Sequence, residues 1–282
     1  MSVLVVRSRM TPHTQLGIAC RKLVHRSQSA FQKIEVYDSV DFGRILLLDE
    51  AIHLADADEH VVHEMLAHVA LFSHPNPESV LILGGGDGCA AREAVKHDCV
   101  KEVTLVEMDP DVPQICGRLF SHLSPALDHP LVRQVTGDVM AWLPASGRTF
   151  DVILVDSQDF APDQTGGLFG AQFLTDCLAA LSPDGILAAR VGDLRFDAHI
   201  VKSVFSNLEE VFPVCRMFQA PVPSRTSAPY CFAFCSRNLH PQGHAGIHRF
   251  TPAFFTRYYH PDIHDAAFVL PREITELSWQ EG

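Results

Sequence analysis

The sequence predicts an α/β fold: a doubly wound, mostly parallel sheet with helices on both faces, preceded by a small N-terminal antiparallel β-domain. Three observations predict it. Strand-like and helix-like apolar runs alternate from Val80 to Phe212, the signature of a parallel sheet covered by helices. A glycine turn, VLILGGGDG at 80–88, joins the first of those strands to its helix. Residues 21–55 instead hold short alternating runs with no helical period, which read as hairpins.

The elements follow in order. Residues 1–15 show little pattern and are expected to fray. LVHRSQ, FQKIEVYDS and GRILLLDEAIHLA supply the hairpin strands, with a turn at Asp41-Phe42-Gly43. At Asp58 the period changes. DEHVVHEMLAHVALFSH places Val61, Met65, Leu66, Val69 and Leu71 at helical spacing, with acids in the first turn and Pro75 and Pro77 beyond the end. Then come CAAREAVKH as helix, VTLVEMD as strand, DVPQICGRLF as helix, and VRQVTGD and DVILVDS as strands. FGAQFLTDCLAALS reads as a helix stopped by Pro183 and Gly185, ILAARVG as a strand, HIVKSVFSNLEEVF as a helix, and YCFAFCSR as a late strand. The expected division is an N-terminal domain over 1–57 and an α/β domain over 58–282.

Composition narrows the function classes. An apolar share of 47% across 282 residues is ample for a core. Twenty-two basic against 34 acidic residues give a net charge of −12, the wrong sign for a nucleic-acid footprint. Acidity suits cationic ligands, and it also serves solubility. Eight cysteines scatter without C-x-x-C spacing, there is no signal-peptide pattern, and no apolar run approaches a membrane span. The expectation is a soluble, cytoplasmic protein that binds neither nucleic acid nor membrane.

Gly84, Gly86 and Gly88 follow a strand and open a helix, where glycines let the backbone approach a ligand closely. Nineteen residues past Gly88, at the end of the next strand, stands Glu107. An acid there can accept both hydroxyls of a ribose. Cys89 occupies the place of a dinucleotide fingerprint's third glycine, and Asp87 sits among the turn amides, where it would repel a pyrophosphate. Both points favour an adenosyl sulfonium ligand over a dinucleotide. Asp138 closes the following strand and is placed to hydrogen-bond an adenine amino group.

The fourth strand of the series, DVILVDSQD, ends in two acids three positions apart, Asp156 and Asp159. An amine attacking a sulfonium must be neutral, yet an alkylammonium has a pKa of about 10. One carboxylate can hold the cation and take its proton, and a second can hold the far end of a diamine. Taken alone, DSQD also fits two loop acids that cap a turn.

These motifs together resemble the spermidine synthase (polyamine aminopropyltransferase) family, from about Leu23 to Pro271. The run from Phe31 to Gly88 looks like the family's entry sheet, gate helix and glycine loop; VEMD matches its ribose-binding acid, DSQD its D-x-x-D loop, and RYYHPDIHDAAFVLP its C-terminal signature. The resemblance implies a Rossmann-like, methyltransferase-type sheet. It implies decarboxylated S-adenosylmethionine as co-substrate, no prosthetic group or metal, a polyamine substrate, and a homodimer or homotetramer. Gln32, Asp87, Glu107 and Asp138 with the adjoining Val139 would contact the nucleoside ligand or its product, methylthioadenosine. His63 and Asp87 would hold the amine end, Asp156 would accept the proton, and Asp159 would bind the amine substrate. Pro162 falls near a nucleoside-contacting proline, in a loop one residue longer than the family's.

The departures cluster where the family's diamine lies. Val62 stands for a tyrosine, His53 for a glutamine, Arg225 for the tyrosine of a P-T-Y-P loop, and Phe160 for a proline. Arg225 would repel a second ammonium, and it suits a carboxylate in a bidentate pair. Either the acceptor is not plain putrescine, or the donor is intact S-adenosylmethionine, or Arg225 points to solvent. The corresponding alternatives are a methyl- or aminocarboxypropyltransferase on the same fold, or a non-catalytic polyamine- or nucleoside-binding protein. HEMLAH is not a zinc signature: its histidines are five apart, about 500° of helical rotation, and point in different directions.

Overall fold

Five antiparallel strands form the N-terminal sheet, in chain order: β1 Leu4–Thr11, β2 Thr14–Gln28, β3 Lys33–Ser39, β4 Arg44–Leu48 and β5 Ala51–Ala55. The computed structural model describes residues 4–11, 13–157, 167–225, 229–272 and 274. The expected fraying of residues 1–15 does not hold for those described, because β1 pairs with β2 from Leu4 opposite Cys20 to Thr11 opposite Thr14. The strand period was hidden by a polar inward residue. Val6 and Ser8 are the buried positions, and the Ser8 hydroxyl is satisfied by the Ile52 amide at 3.2 Å.

The second sheet has seven strands in the order β11-β12-β10-β9-β6-β7-β8. They are β6 Ser79–Gly84, β7 Glu102–Glu107, β8 Val132–Thr136, β9 Phe150–Asp156, β10 Leu181–Asp193, β11 Val214–Pro221 and β12 Pro229–Ser236. The first five run parallel, and β12 is antiparallel to β10 and β11. Val80–Leu83 and Val152–Val155 are fully buried, as expected of central strands covered on both faces. The helices are α1 Glu59–Ser73, α2 Cys89–Ala94, α3 Asp111–Leu119, α4 Val139–Ser146, α5 Ala171–Ala180, α6 Ala198–Val211 and α7 Pro261–Ala267. Neither α4 nor β11 was expected: Pro144 sits inside α4, and Arg216 and Gln219 blur the alternation of β11.

From β6 the chain builds outward through β7 and β8, then returns to the other side of β6 as β9. Strand order therefore reverses between β6 and β9, which leaves a crevice beyond their carboxyl ends. The register sets Gly84 beside Asp156 at that point.

Helix α1 differs from its sequence reading. A one-sided apolar stripe was expected, yet every residue but His60 is buried. The C-terminal segment covers the outer side. There the buried Glu64 carboxylate accepts the amides of Arg257, Tyr258 and Tyr259 at 2.8, 2.7 and 2.8 Å, and Tyr259 stacks on Phe72. Three amides offset the cost of burying that charge.

Candidate active site

The glycine turn leaves β6 and passes between two acids. A Cβ on Gly86 would lie 2.8 Å from Glu107 Cγ, and one on Gly85 would lie 2.8 Å from Asp156 Oδ2. Only glycine permits both approaches. Gly84 lies against the Asp156 backbone, and Gly88 precedes α2.

On one side of the turn, Glu107 accepts the Gly86 amide on Oε2 at 3.0 Å and the Asp109 amide on Oε1 at 2.9 Å. Burial pushes its carboxyl up to about 7, although those amides pull the other way. The Gly137 amide donates to the Glu107 carbonyl at 3.0 Å and so fastens the end of β8 alongside. Asp138 follows, exposed, and caps α4 through the Met140 amide at 2.9 Å; Val139 is half-buried. Gln32, on the turn between β2 and β3, donates to Asp109 Oδ2 at 2.9 Å, beside the Ser29 hydroxyl at 2.7 Å. The turn glycines, Glu107, Asp138 and Val139 thus line up along successive strand ends, with Gln32 tied in through Asp109.

On the other side the charges are buried and denser. Asp156 and Asp87 are inaccessible to solvent. Asp87 accepts from His53 Nε2 on Oδ2 at 2.9 Å and from the Cys89 amide on Oδ1 at 2.8 Å. Burial works against its charge, but His63, His53 and that amide hold its carboxyl well below the usual range. His63 comes from α1. Its Nδ1 is held by Glu59 Oε2 at 3.0 Å, while Nε2 points between Asp87 Oδ2 at 3.7 Å and Asp156 Oδ2 at 3.6 Å. Burial disfavours the imidazolium, but Asp87, Asp156 and Glu59 outweigh it and raise the His63 pKa. His63 Nε2 and Asp156 Oδ2 are buried without hydrogen-bond partners among the described residues.

Arg190, which the sequence reading passed over, donates from Nη1 to Asp156 Oδ1 at 2.6 Å, both side chains fully buried. Its signal was present: a lone arginine interrupts the apolar strand run ILAARVG, and an arginine is almost never fully buried unless paired. Arg225 turns inward, not to solvent. Its Nη2 donates to the His53 carbonyl at 2.6 Å, and its Cζ lies 5.1 Å from the Tyr230 ring centroid. Val62 is a core residue of α1. Asp159, Phe160 and Pro162 lie outside the described residues.

His63, Asp87 and Asp156 bring three donor atoms within 4.8 Å of one another, a spacing that a metal ion would fit. Within that cluster Asp156 Oδ1 is paired with Arg190, Asp87 with His53 and His63 Nδ1 with Glu59, so the cluster reads as an ion-pair network with Asp156 Oδ2 left over. His68 is directed elsewhere, with Nε2 on Glu93 at 3.0 Å.

The fold and the crevice define the class: a doubly wound α/β protein whose ligand edge, lined by a glycine turn and acids, lies at the topological switch point. Residues 59–243 match the family model described as spermine/spermidine synthase domain, and residues 5–56 the one described as spermidine synthase tetramerisation domain. The chain is 35% identical over 269 residues to a polyamine aminopropyltransferase of Bacillus cereus (strain ATCC 10987), covering 95% of this chain and 97% of the relative. It is 34% identical over 277 residues to that of Bacillus subtilis (strain 168), covering 98% and 99%. A solved spermidine synthase in complex with the transition state analogue AdoDATO superposes with a TM-score of 0.90 at 30% identity, covering 98% of this chain and 95% of that one. The chain belongs to the spermine/spermidine synthase family, as its motifs implied, and carries that family's Rossmann-like, methyltransferase-type sheet behind an antiparallel β-domain.

Proposed function

We infer that this protein is a transferase that moves an aminopropyl group from decarboxylated S-adenosylmethionine to an amine and releases methylthioadenosine. The observation that carries the reading is the crevice itself, where one glycine turn separates an acid suited to a ribose, Glu107, from an acid suited to an ammonium, Asp156. The nitrogen lone pair of the acceptor attacks the aminopropyl methylene bonded to sulfur. The C–N bond forms as the C–S bond breaks, and the bonding pair leaves on sulfur, which becomes a neutral thioether. The nitrogen then carries one proton too many, and Asp156 Oδ2 takes it. Holding donor and acceptor in line supplies much of the rate.

In this reading Glu107, Asp138, Val139 and the turn glycines bind the nucleoside, and Gln32 supports them through Asp109. Asp87 and His63 hold the amine end, and Asp159 with Arg225 completes the acceptor site. The β-domain, 1–57, assembles subunits and the α/β domain, 58–282, carries the chemistry. Five of the eight exposed large apolar side chains among the described residues, Leu4, Val5, Leu23, Phe31 and Val40, lie in the N-terminal domain. That supports a homodimer or homotetramer through this sheet. No helix among the described residues is long and apolar enough to cross a membrane, and every cysteine is free. The free thiols support a cytoplasmic setting.

Incubation with an amine mixture and either donor, followed by mass spectrometry, tests the reaction. Methylthioadenosine and an aminopropylated amine are expected from the decarboxylated donor. Transfer only from intact S-adenosylmethionine would overturn the assignment.

A further inference from the structure

Among the described residues, the acceptor side of the crevice holds two inward-turned guanidiniums, Arg190 and Arg225. Arg190 donates Nη1 to Asp156, and a side-chain hydrogen bond with Tyr230 also supports its charge. Its Nε and Nη2 are buried and have no hydrogen-bond partner among the described residues. Those two N–H groups form one edge of the guanidinium, the edge that a carboxylate meets side-on with two parallel hydrogen bonds.

Arg225 converges on the same place. Tyr230 lies against both guanidiniums, its ring centroid 5.7 Å from Arg190 Cζ and 5.1 Å from Arg225 Cζ. Burial, and then the like charge of Arg190, push the Arg225 pKa down to about 10. Burial also works against Arg190, but Tyr230 and Asp156 more than offset it and keep the guanidinium charged. Of the described carboxylates nearby, two besides Asp156 are already engaged. Asp87 is held by His53 and His63, and Asp58 accepts the Ser224 amide and hydroxyl at 2.6 and 2.7 Å. A second ammonium entering here would meet two cations. A carboxylate would meet a bidentate edge unpartnered among the described residues, with a second guanidinium beside it.

We propose that the acceptor is an amine that also bears a carboxylate, an amino acid in chemical class, with its nitrogen at Asp156 Oδ2 and its carboxylate on the Nε–Nη2 edge of Arg190, flanked by Arg225. The proposal rests on the aminopropyltransferase reading of this crevice. Because the free Asp156 oxygen and Arg190 meet at one carboxylate group, only a few bonds need separate the substrate's two charged groups. Asp87 and Asp156 then serve the positive end, and the arginines serve the negative end.

The test uses the full-length protein, decarboxylated S-adenosylmethionine, and matched acceptors that differ only by a carboxylate: 2,4-diaminobutyrate against 1,3-diaminopropane, ornithine against putrescine, and 4-aminobutyrate against propylamine. The expected result is a kcat/KM for the carboxylated member at least about tenfold higher in one or more pairs, the scale of a hydrogen bond to a charged group. Arg190→Gln should invert that preference and Arg225→Gln should shrink it. The wild-type comparison stands by itself if a variant fails to fold. Preference for the plain amine in every pair overturns the proposal, as does a ratio unmoved by both substitutions. Transfer from intact S-adenosylmethionine to plain diamines, in preference to the decarboxylated donor, also overturns it, since the carboxylate then belongs to the donor. Calorimetry of the same pairs on methylthioadenosine-loaded protein separates the two readings. Tighter binding of the carboxylated members without any product would retire aminopropyl transfer and keep the recognition. Tighter binding of the plain amines would sink the recognition whatever the turnover.

Discussion

The two sides of the glycine turn solve different problems. The proposed nucleoside side is made of strand ends and turns in chain order, with half-buried or exposed acids held by backbone amides: Glu107 by Gly86 and Asp109, Asp138 by Met140. The proposed amine side is made of side chains from six separate places, the buried His63, Asp87, Asp156 and Arg190 and the half-buried His53 and Arg225, which hold one another. The difference teaches where specificity can change. In the proposed function, a neutral nucleoside is recognised by hydrogen bonds that the fold supplies almost by construction, and a charged acceptor by the balance of a charge network that, in the inference drawn above, the arginines shift.

The sharpest way to break the comparison is to strike one side and read both. Asp156→Asn keeps the side-chain volume and leaves an oxygen for Arg190 Nη1, but it removes the charge and most of the basicity. Turnover should fall by about 10²–10⁴-fold, while calorimetry should find methylthioadenosine affinity within a few-fold of wild type. A turnover near that of wild type would remove Asp156 from proton transfer. An equal loss of nucleoside affinity would mean that the two sides are not separable.

The converse substitution is Glu107→Gln. It exchanges two acceptor oxygens for one acceptor and one donor, so one of the ribose hydroxyls loses its partner and one turn amide faces an NH₂. Methylthioadenosine affinity should weaken by roughly 10–100-fold, the range of a charged hydrogen bond. The kcat at saturating donor should change much less. Unchanged affinity would show that the ribose is bound elsewhere.

This asymmetry also decided what could be read from the amino-acid sequence. The strand-end places of Glu107 and Asp138 were legible because strand periodicity sets them at consecutive strand ends, and the glycines mark the turn that leaves the strand before them. Asp156 was legible for the same reason. Arg190 was legible only as a buried charge in need of a partner, because nothing local in ILAARVG shows that the partner lies 34 positions earlier. Whether Arg225 pointed inward depended on the packing of Tyr230 and on the His53 carbonyl, neither of which a loop sequence encodes. At the N-terminus, β1 was missed because an inward serine interrupts its alternation. The burial of α1 on all sides depended on a segment nearly 200 residues away, anchored through Glu64.

The pH response should sharpen the contrast. With the Glu107 carboxyl at about 7 in the free protein, its charged form dominates at pH 8 and is a minority at pH 6. If ribose binds the ionised form, methylthioadenosine affinity should fall by about tenfold between those values. Stability moves the opposite way. The folded chain holds this proton more tightly than the unfolded chain, whose ordinary value is 4.5. The stabilising contribution is therefore complete below that value and is lost as pH rises through about 7. Asp87, held well below its ordinary value, stays ionised across the same window. Glu107→Gln should abolish the pH dependence of binding, and calorimetry at three pH values measures it directly. A flat profile in the wild type would mean that Glu107 is already ionised at pH 6.

The smallest effect should come from Gln32→Ala. Gln32 donates to Asp109 Oδ2, and the Asp109 amide donates to Glu107 Oε1. In this structure it therefore reaches Glu107, the proposed ribose acid, at one remove. The Ser29 hydroxyl still holds the same Asp109 oxygen, so the substitution removes one of two supports. A single neutral-to-charged hydrogen bond, partly compensated, is worth about 1 kcal/mol or less in position, which corresponds to a few-fold loss of methylthioadenosine affinity. The turnover of bound substrates should stay the same, because nothing on the amine side touches this chain of bonds. A loss beyond about 50-fold would be too large for indirect support, and would place the Gln32 amide on the nucleoside itself. The β-domain would then be part of the binding site and not only its brace.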